Sequence, residues 1–597
     1  MDNLKSTAHW WVALAHLYEL PSIDVDTFLR RVAGEGITFL TIQLPSLGKD
    51  VDRALITGEP LIITGRFGLK RGKRYPLFLQ DLFERVFGDD GNIREECDPI
   101  HIRQIRQLAY LYYKMEVDYD EDTLESARRG FIVRDRELTK EISWKSPELR
   151  RARGLIAHVL AGLNPLHAQP RHGSGAVANR LPNHDKYHIV RFIPRLNAVF
   201  EYGDYFFYNH THLADELDSF LDWEEIEEPH ARLVSVPKDS RGPRLICCEP
   251  SEFQYVQQGL MSLLYDRVET HKMTAGYVNF TDQTINKRLA RESSVHQDLA
   301  TLDLKDASDR VRWDVVQHLF PREWVNAFDA CRTRYVTVGK DTVGPLRKFA
   351  PMGSAVCFPV EALVFWALLK GKFNVDVWVY GDDIILPTKH AERAIAYLEE
   401  LDLLVNKQKS CYRSPFRESC GGDFYKGHDV GYVKVRKVVD NTVASHIAQC
   451  QFVNELTQRY TPALTTKFRE HCDQLYGPHL RALWEYPNGY VHDVVDGNEI
   501  SIATPFTLIS DTVTLNSVFF KKRYDVDLQQ HELLVPTIVT KEHVSSSSSP
   551  WRELHRRYAQ FGNSTDDPFG GPFEHYQAGC YAVPKHCFQK FRWSPIS

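Results

Sequence analysis

The chain has 597 residues, 43% of them hydrophobic and 25% charged, an ordinary globular composition on a length too great for one core, so several domains or subdomains are expected. A formal net charge of −6 argues on its face against a polyanionic partner, although a mean says little where charge is segregated along the chain. Eleven cysteines without a C-x-x-C pair argue against a zinc knuckle or a disulfide framework and for free thiols in a reducing cytosol. The opening MDNLKSTAHWWVALAHLYEL lacks the basic flank, long apolar core and small-residue cleavage site of a signal peptide. The longest apolar candidate, FPVEALVFWALL, is interrupted by Pro359 and Glu361 and falls short of the ~18 residues that span a bilayer. A soluble, cytoplasmic protein without membrane partners is the expectation.

From residue 1 to about 230 the pattern is mixed, and QIRQLAYLYYKME (104–116) reads as a helix. RFGLKRGKRYP (66–76) and ELRRARG (148–154) are basic clusters, and DELDSFLDWEEIEEPH (215–230) is strongly acidic. Each alone reads as a solvated face, yet a basic channel behind an acidic exterior would give the same net charge. His184 and His188 in HDKYH, and His210 and His212 in NHTH, have spacings a transition metal can use, but no third and fourth ligands are evident and ordinary histidines are expected.

Chemistry concentrates between about 230 and 430. LVSVPKDSRGPRLICCEP (233–250) sets Lys238, Arg241 and Arg244 in a Gly/Pro-containing loop between short apolar strands. Cations every third residue can converge on a polyanion, and arginine offers fork geometry for phosphate oxygens; an exposed basic hairpin is the plainer reading. Cys247 and Cys248 are expected on a strand, one on each face. In DLATLDLKDASDRVRWDVVQHLF (298–320), LATLDL reads as a strand and a helix follows, with Asp306 or Ser308 placed to cap it and Val311, Val315 and Leu319 at helical spacing. Asp303 therefore falls at the carboxyl end of a strand. KFAPMGSAVCFPVEALVFWALLKG (348–371) reads as a small-residue turn, with Gly353 and Ser354, entering an apolar core helix; such a turn lets backbone approach a sugar or base closely.

VWVYGDDIILP (377–387) reads as two strands joined by a tight Gly-Asp turn. Asp382 and Asp383 would repel at a buried tip, so a cation is expected to resolve the conflict. A strand-end aspartate beside a hairpin-tip pair is the arrangement needed to hold two divalent cations. Oxygen ligands suit Mg²⁺, and two ions roughly 4 Å apart serve an in-line phosphoryl displacement. LDLLVNKQKSCYRSPFRESCGGDFYKG (401–427) reads as a strand, a basic turn with Lys407 and Lys409, and a glycine-containing hairpin; a lysine beside departing pyrophosphate can act as its general acid. Beyond that, VGYVKVRKVV (430–439) is strand-like, ASHIAQCQFVNELTQRY (444–460) helical, and SSSSSP (545–550) has the texture of a linker before an aromatic-rich end.

Taken together, TDQTINKR (281–288), TLDLKDASD (301–309), the MGS…E segment (352–361), VYGDDIILP (379–387) and SPFRESCGGDFYKGHDV (414–430) resemble the RNA-directed RNA polymerases, or replicase β subunits, of single-stranded RNA bacteriophages of the Qβ type, the leviviruses. The resemblance implies an α+β right hand of fingers, palm and thumb with an RRM-like palm sheet. It divides the chain into an N-terminal region with part of the fingers (1–230), fingers with the basic nucleotide-binding loop (231–300), the catalytic core (289–415), palm end and thumb (416–544) and a C-terminal segment (545–597). It implies RNA-templated RNA synthesis replicating a phage genome. Asp303, Asp382 and Asp383 match the magnesium ligands, with Mn²⁺ as a substitute; Lys238, Arg241 and Arg244 match the loop over the nucleotide phosphates. Lys409 matches the general acid, with Lys407 as second choice, and Gly353 and Ser354 belong to the nucleotide site. Glu361 departs from the general polymerase pattern, which has an asparagine that helps read the ribose, and this leaves open the ribose-reading roles of Asp309 and Ser308.

RNA template and product, nucleoside triphosphates, host elongation factors Tu and Ts and a ribosomal protein are the implied partners, in the cytoplasm of an infected bacterium. No stretch displays a surface for the host proteins, though the acidic 215–230 segment is a candidate contact for a basic one. Two rivals are a reverse transcriptase and a non-catalytic RNA-binding scaffold with a polymerase-like palm. The first would place a bulky aromatic after Asp303, where Lys305, Asp306, Ala307, Ser308 and Asp309 stand; the second would lack one or more of the three aspartates.

Overall fold

The strands Trp378–Tyr380 and Asp383–Pro387 form an antiparallel hairpin closed by Gly381 and Asp382, and Leu299–Asp303 pairs with its far side. The result is a three-stranded sheet with Asp383–Pro387 in the middle. The computed structural model of the chain describes residues 2–182 and 185–439; beyond these it describes Ala448, Phe452, Glu455, Leu456, Arg459 and the strands Val491–Val495, Asn498–Ile502, Lys522–Asp525, Gln530–Thr540 and Cys587–Pro595. The expected linker at 545–550 lies outside the described residues, as does most of the expected helix at 444–460.

The sheet is apolar on both faces because both are covered. Ala300, Leu302, Ile384, Ile385 and Leu386 are all buried, which is what a continuous apolar run between turn residues implies. Helix Thr284–His296 lies against Leu299–Asp303 and against a second hairpin, Phe416–Ser419 with Gly422–Tyr425. Helix Cys357–Phe373 is buried on nearly every side and packs on helix Pro147–Val159. This is the apolar core helix read from FPVEALVFWALL, and among the described residues no helix is long and apolar enough to cross a membrane. A four-stranded sheet carries the basic hairpin: Gly242–Cys248 at its edge, then Ala231–Asp239, Val336–Val338 and Asp341–Val343. Cys247 and Cys248 lie on its edge strand and both are buried, so both faces of that strand end are covered.

Two large cores result. One gathers the sheet, helix Cys357–Phe373 and most apolar residues from Leu149 to Val405. The other is built by the first 115 residues together with Cys411, Phe416, Tyr425, Val430, Val433, Val435, Phe452 and Leu456. The N-terminal helices thus close over the Phe416–Tyr425 hairpin, and Arg106 ties them to it. Its buried guanidinium pairs with Asp52 at 2.8 Å and with Asp423 at 3.2 Å.

Several expectations are corrected. The helix expected at 104–116 runs Pro99–Tyr110, because Asp98 caps it by accepting from Ile100 N–H and Pro99 occupies its first turn. The strand-like 430–439 alternates buried Val430, Val433 and Val435 but forms no strand; it runs extended past the N-terminal helices, with Val435 N–H on Leu111 O at 2.8 Å and Arg436 O accepting from Glu116 N–H at 2.7 Å. The strand expected at LDLLV is a single bridge, Val405 with Leu304. The helix expected after Asp303 is two short ones, Ala307–Arg310 and Trp313–Leu319, interrupted where Phe349 N–H bonds Val311 O and Trp313 N–H bonds Arg347 O. Asp306 precedes the first without a side-chain capping bond, and Ser308 lies inside it.

The acidic 215–230 stretch is only partly helical. Leu217–Leu221 is one short helix, Glu224–Glu225 pairs with Arg191–Phe192, and Glu228 is tied to Arg195 at 2.7 Å and Arg334 at 3.3 Å. The basic clusters are partly paired as well: Lys70 with Glu84, and Arg151 donating to Gly371 O.

Candidate active site

Strand register brings the aspartates together. Asp303 and Asp383 are partners across the ladder, and Asp382 occupies the turn beside Asp383. The turn depends on Gly381, whose φ of +59° is what a two-residue hairpin loop asks of glycine, and a Cβ there would meet the Phe358 ring at 2.4 Å. Burial raises Asp382, and Asp303 adds to the effect. Burial, then Asp382 and Asp303, push Asp383 up to about 7. A third carboxyl, Glu418 on the second hairpin, is pushed up to about 8 by burial and by Asp423 and Asp383. The tip thus gathers carboxylates whose charged forms are disfavoured by desolvation and by one another, and it calls for cations.

The chain itself supplies some. Lys409 Nζ lies 3.2 Å from Asp303 Oδ1, and Asn406 Nδ2 donates to Asp303 Oδ2 at 2.9 Å. Burial works against the Lys409 ammonium, but Asp303, Glu418 and Asp382 outweigh it and raise the group above its usual range. Cys420 N–H donates to Asp383 Oδ2 at 3.1 Å. Lys407 points elsewhere, to Glu399 at 3.1 Å. Among the described residues, no three His, Cys, Asp or Glu side chains are posed to hold one ion. The donor set nonetheless fits a hard divalent cation: three carboxylates of adjacent placement, two of them destabilised as anions by burial and by one another.

The basic hairpin faces this tip. Arg244 and Lys409 both act on Asp382, and Arg244, Arg241 and Lys409 all lower Lys238, after burial. Lys238 and Arg244 are exposed, whereas Arg241 is engaged by Asp239. Gly353 makes a close approach, but to protein: at φ +121° a Cβ would meet Cys247 O at 2.1 Å, and Cys247 N–H bonds Met352 O at 2.8 Å. The turn is therefore pinned to the strand that carries Arg244. Ser354 donates to Gln257 Oε1 at 3.1 Å, Ala355 N–H to the same oxygen at 3.2 Å, and Gln257 in turn reaches the buried Glu249. Burial raises Glu249 to about 7.

Asp309 is held by the fully buried Lys348 at 2.9 Å and by Arg134 at 3.1 Å, with half-buried Ser308 beside it. Burial, then Asp382 and Asp309, push Glu361 well above the ordinary carboxylate range.

A model of the RNA replicase beta-chain family matches residues 114–566. This chain belongs to the RNA replicase beta-chain family. The RNA-directed RNA polymerase beta chain of Escherichia phage MS2 is 35% identical over 218 residues, 36% of this chain and 39% of that one. The RNA-directed RNA polymerase subunit beta of Enterobacteria phage SP is 29% identical over 306 residues, 49% of this chain and 51% of that one. The chain thus spans about half or less of the curated relatives it matches. A solved structure of an RNA-dependent RNA polymerase, BmCPV at elongation state, aligns at 12% identity and a TM-score of 0.32 over 61% of this chain and 37% of that one, a likeness too low to bear on the fold.

For this replicase-family member, sequence reasoning missed Asn406, Glu418 and the Cys420 N–H, all at the aspartates, and Tyr113, Lys114 and Tyr119 at the basic hairpin. Glu418 had a signal, since it lies within PFRESCG. The N-terminal three had none, because only the folded chain brings them there. Of the zinc candidates, His212 is buried and Tyr208 N–H donates to its Nδ1, while His184 lies outside the described residues.

Proposed function

We propose that this chain is an RNA-directed RNA polymerase: it extends an RNA 3′ end on an RNA template and thereby replicates a phage genome. The observation that carries the reading is the register of Asp303 with Asp383, which sets three carboxylates at one tip beside Lys409 and Arg244. The 3′ oxygen attacks the α-phosphorus, its proton leaves to solvent or base, and the bond to pyrophosphate breaks. Asp303, Asp382 and Asp383 would hold two Mg²⁺ ions, which when bound supply charge neutralisation for the attacking hydroxyl and the triphosphate. Lys238, Arg241 and Arg244 bind the polyphosphate. Lys409, held protonated by Asp303, starts the cycle as an acid and gives its proton to the departing pyrophosphate.

The small and polar residues after Asp303 leave room for a ribose 2′-hydroxyl, with Ser308, Asp309 and Glu361 as its readers and Gly353 and Ser354 in the nucleotide site. This favours ribonucleotides and sets the reading apart from reverse transcription. The hand-like division into fingers, palm and thumb, the RRM-like form of the palm, the host factors Tu and Ts with a ribosomal protein, and action in the host cytoplasm belong to the same proposal by resemblance. The test is incorporation of ribo- and deoxyribonucleotides on an RNA template by the purified chain, with and without Mg²⁺ and host factors. Magnesium-dependent ribonucleotide incorporation is expected; preference for deoxyribonucleotides would overturn the reading.

A further inference from the structure

Asp239 stands at the tip of the basic hairpin and is 2% exposed. Its Oδ1 accepts from Arg241 Nε at 3.0 Å and from Arg241 backbone N–H at 3.1 Å, and its Oδ2 accepts from Arg241 Nη2 at 2.8 Å and Lys114 Nζ at 3.2 Å. Its carbonyl accepts from Tyr119 O–H at 2.8 Å, and the Tyr119 oxygen accepts Lys238 N–H at 3.1 Å. Tyr113 lies beneath: Arg241 sits 5.0 Å from the centre of its ring, Lys114 4.9 Å and Lys49 5.5 Å. Lys49, Lys114, Lys238 and Arg241 are therefore gathered around a single carboxylate, two of them contributed by the N-terminal region. Burial disfavours its charge, but Arg241 and Lys114 hold Asp239 well below the usual carboxylate range, so it is an anion.

A carboxylate in the fork of Arg241 occupies the position that two phosphate oxygens would take. Four converging cations repel one another unless an anion is present. Resting on the polymerase reading, we propose that Asp239 is a built-in stand-in for a nucleotide phosphate: it holds Arg241 and Lys114 in place until a polyphosphate displaces it, and Lys49 and Lys114 complete the polyphosphate site. A triphosphate brings enough charge to replace the bidentate pair and engage the remaining cations, whereas a monophosphate does not, so the exchange selects for polyphosphates. No bond is made or broken in it other than hydrogen bonds.

The test is equilibrium binding of pyrophosphate and of AMP to the full chain in metal-free buffer at several salt concentrations. In Asp239→Asn the amide oxygen still serves the Arg241 backbone N–H, but the competing charge is gone. Pyrophosphate should bind about tenfold tighter, with a log–log salt slope steeper by about one, and the preference for pyrophosphate over AMP should shrink. Arg241→Gln should weaken binding more in the Asp239→Asn background than in wild type. Asp239→Ser, which also retains an acceptor for that N–H, should shift affinity the same way. Unchanged or weaker pyrophosphate binding in either folded variant overturns the exchange, and loss of folding in both marks Asp239 as a structural tie and overturns it too. The polymerase reading fails separately, if wild type incorporates no nucleotide on RNA.

Discussion

Asp303 and Asp383 are cross-strand partners, one ending its strand and the other beginning its own, so the carboxylates meet at the rim of the sheet where a ligand can reach them. Because backbone pairing fixes this, substitution of the side chains should leave the scaffold intact. Asp382→Asn should lower RNA synthesis by at least about 10³-fold, roughly 4 kcal/mol of barrier, while template binding in a filter or fluorescence assay stays within a few-fold. Retained synthesis would place the chemistry elsewhere.

The two lysines of the 407–409 turn should separate cleanly. Lys409 faces Asp303 and Lys407 faces Glu399. Lys409→Met should reduce kcat by about 10²-fold or more, in the range of a lost general acid, and Lys407→Met should remain near wild type. Equal losses in single-turnover assays would argue that the turn matters only as a whole.

Gly353→Ala should destabilise the fold by about 2 kcal/mol or more, since a positive φ and a 2.1 Å approach to the Cys247 carbonyl both oppose a side chain. Denaturant unfolding measures this. A change under about 0.5 kcal/mol would mean the turn relaxes freely.

Glu249 provides a pH signature. Burial raises its folded pKa to about 7, against roughly 4.3 in an unfolded chain. The folded protein therefore holds the proton more tightly. The stability this confers is present below about pH 4 and is lost as pH rises to about 7. Thermal unfolding of Glu249→Gln should lack this share of the decline, so its Tm relative to wild type should rise between pH 4 and 7. Parallel Tm profiles would show that Glu249 does not titrate in that window.

What could be read beforehand was short-range. The Gly381–Asp382 turn, the Ser419–Gly422 hairpin end and the apolar helix at Cys357 each declare themselves in a few neighbouring residues. A meeting of Asp303 with the Asp382–Asp383 tip is expected from strand ends with matching chemistry, but the register that pairs it with Asp383 is set by the ladder. The misreadings are those in which a distant partner decides. Residues 430–439 alternate like a strand, yet past Val430, which bonds Asp423 O, their backbone–backbone bonds run to the N-terminal helical region at Leu111 and Glu116 and build no ladder. The stretch after Asp303 has helical spacing, yet the backbone around Phe349 captures Val311. Helix Pro99–Tyr110 starts earlier than its apolar periodicity implies, because Asp98 and Pro99 fix its first turn. Nothing local marks Lys114 or Tyr119 as companions of Asp239, more than a hundred residues away.

The core shared by the first 115 residues and the segment from Cys411 to Leu456 has a consequence for biosynthesis. On a ribosome adding ~5–20 residues per second, the early helices wait some ~15–60 s for the apolar residues that cover them. Until Phe416, Tyr425 and Val433 emerge, greasy surface stays uncovered and Arg106 has Asp52 but not Asp423 as a partner. Exposed apolar surface of this kind makes a nascent chain prone to aggregation through that interval, and the second hairpin, which carries Glu418, is the piece that ends it.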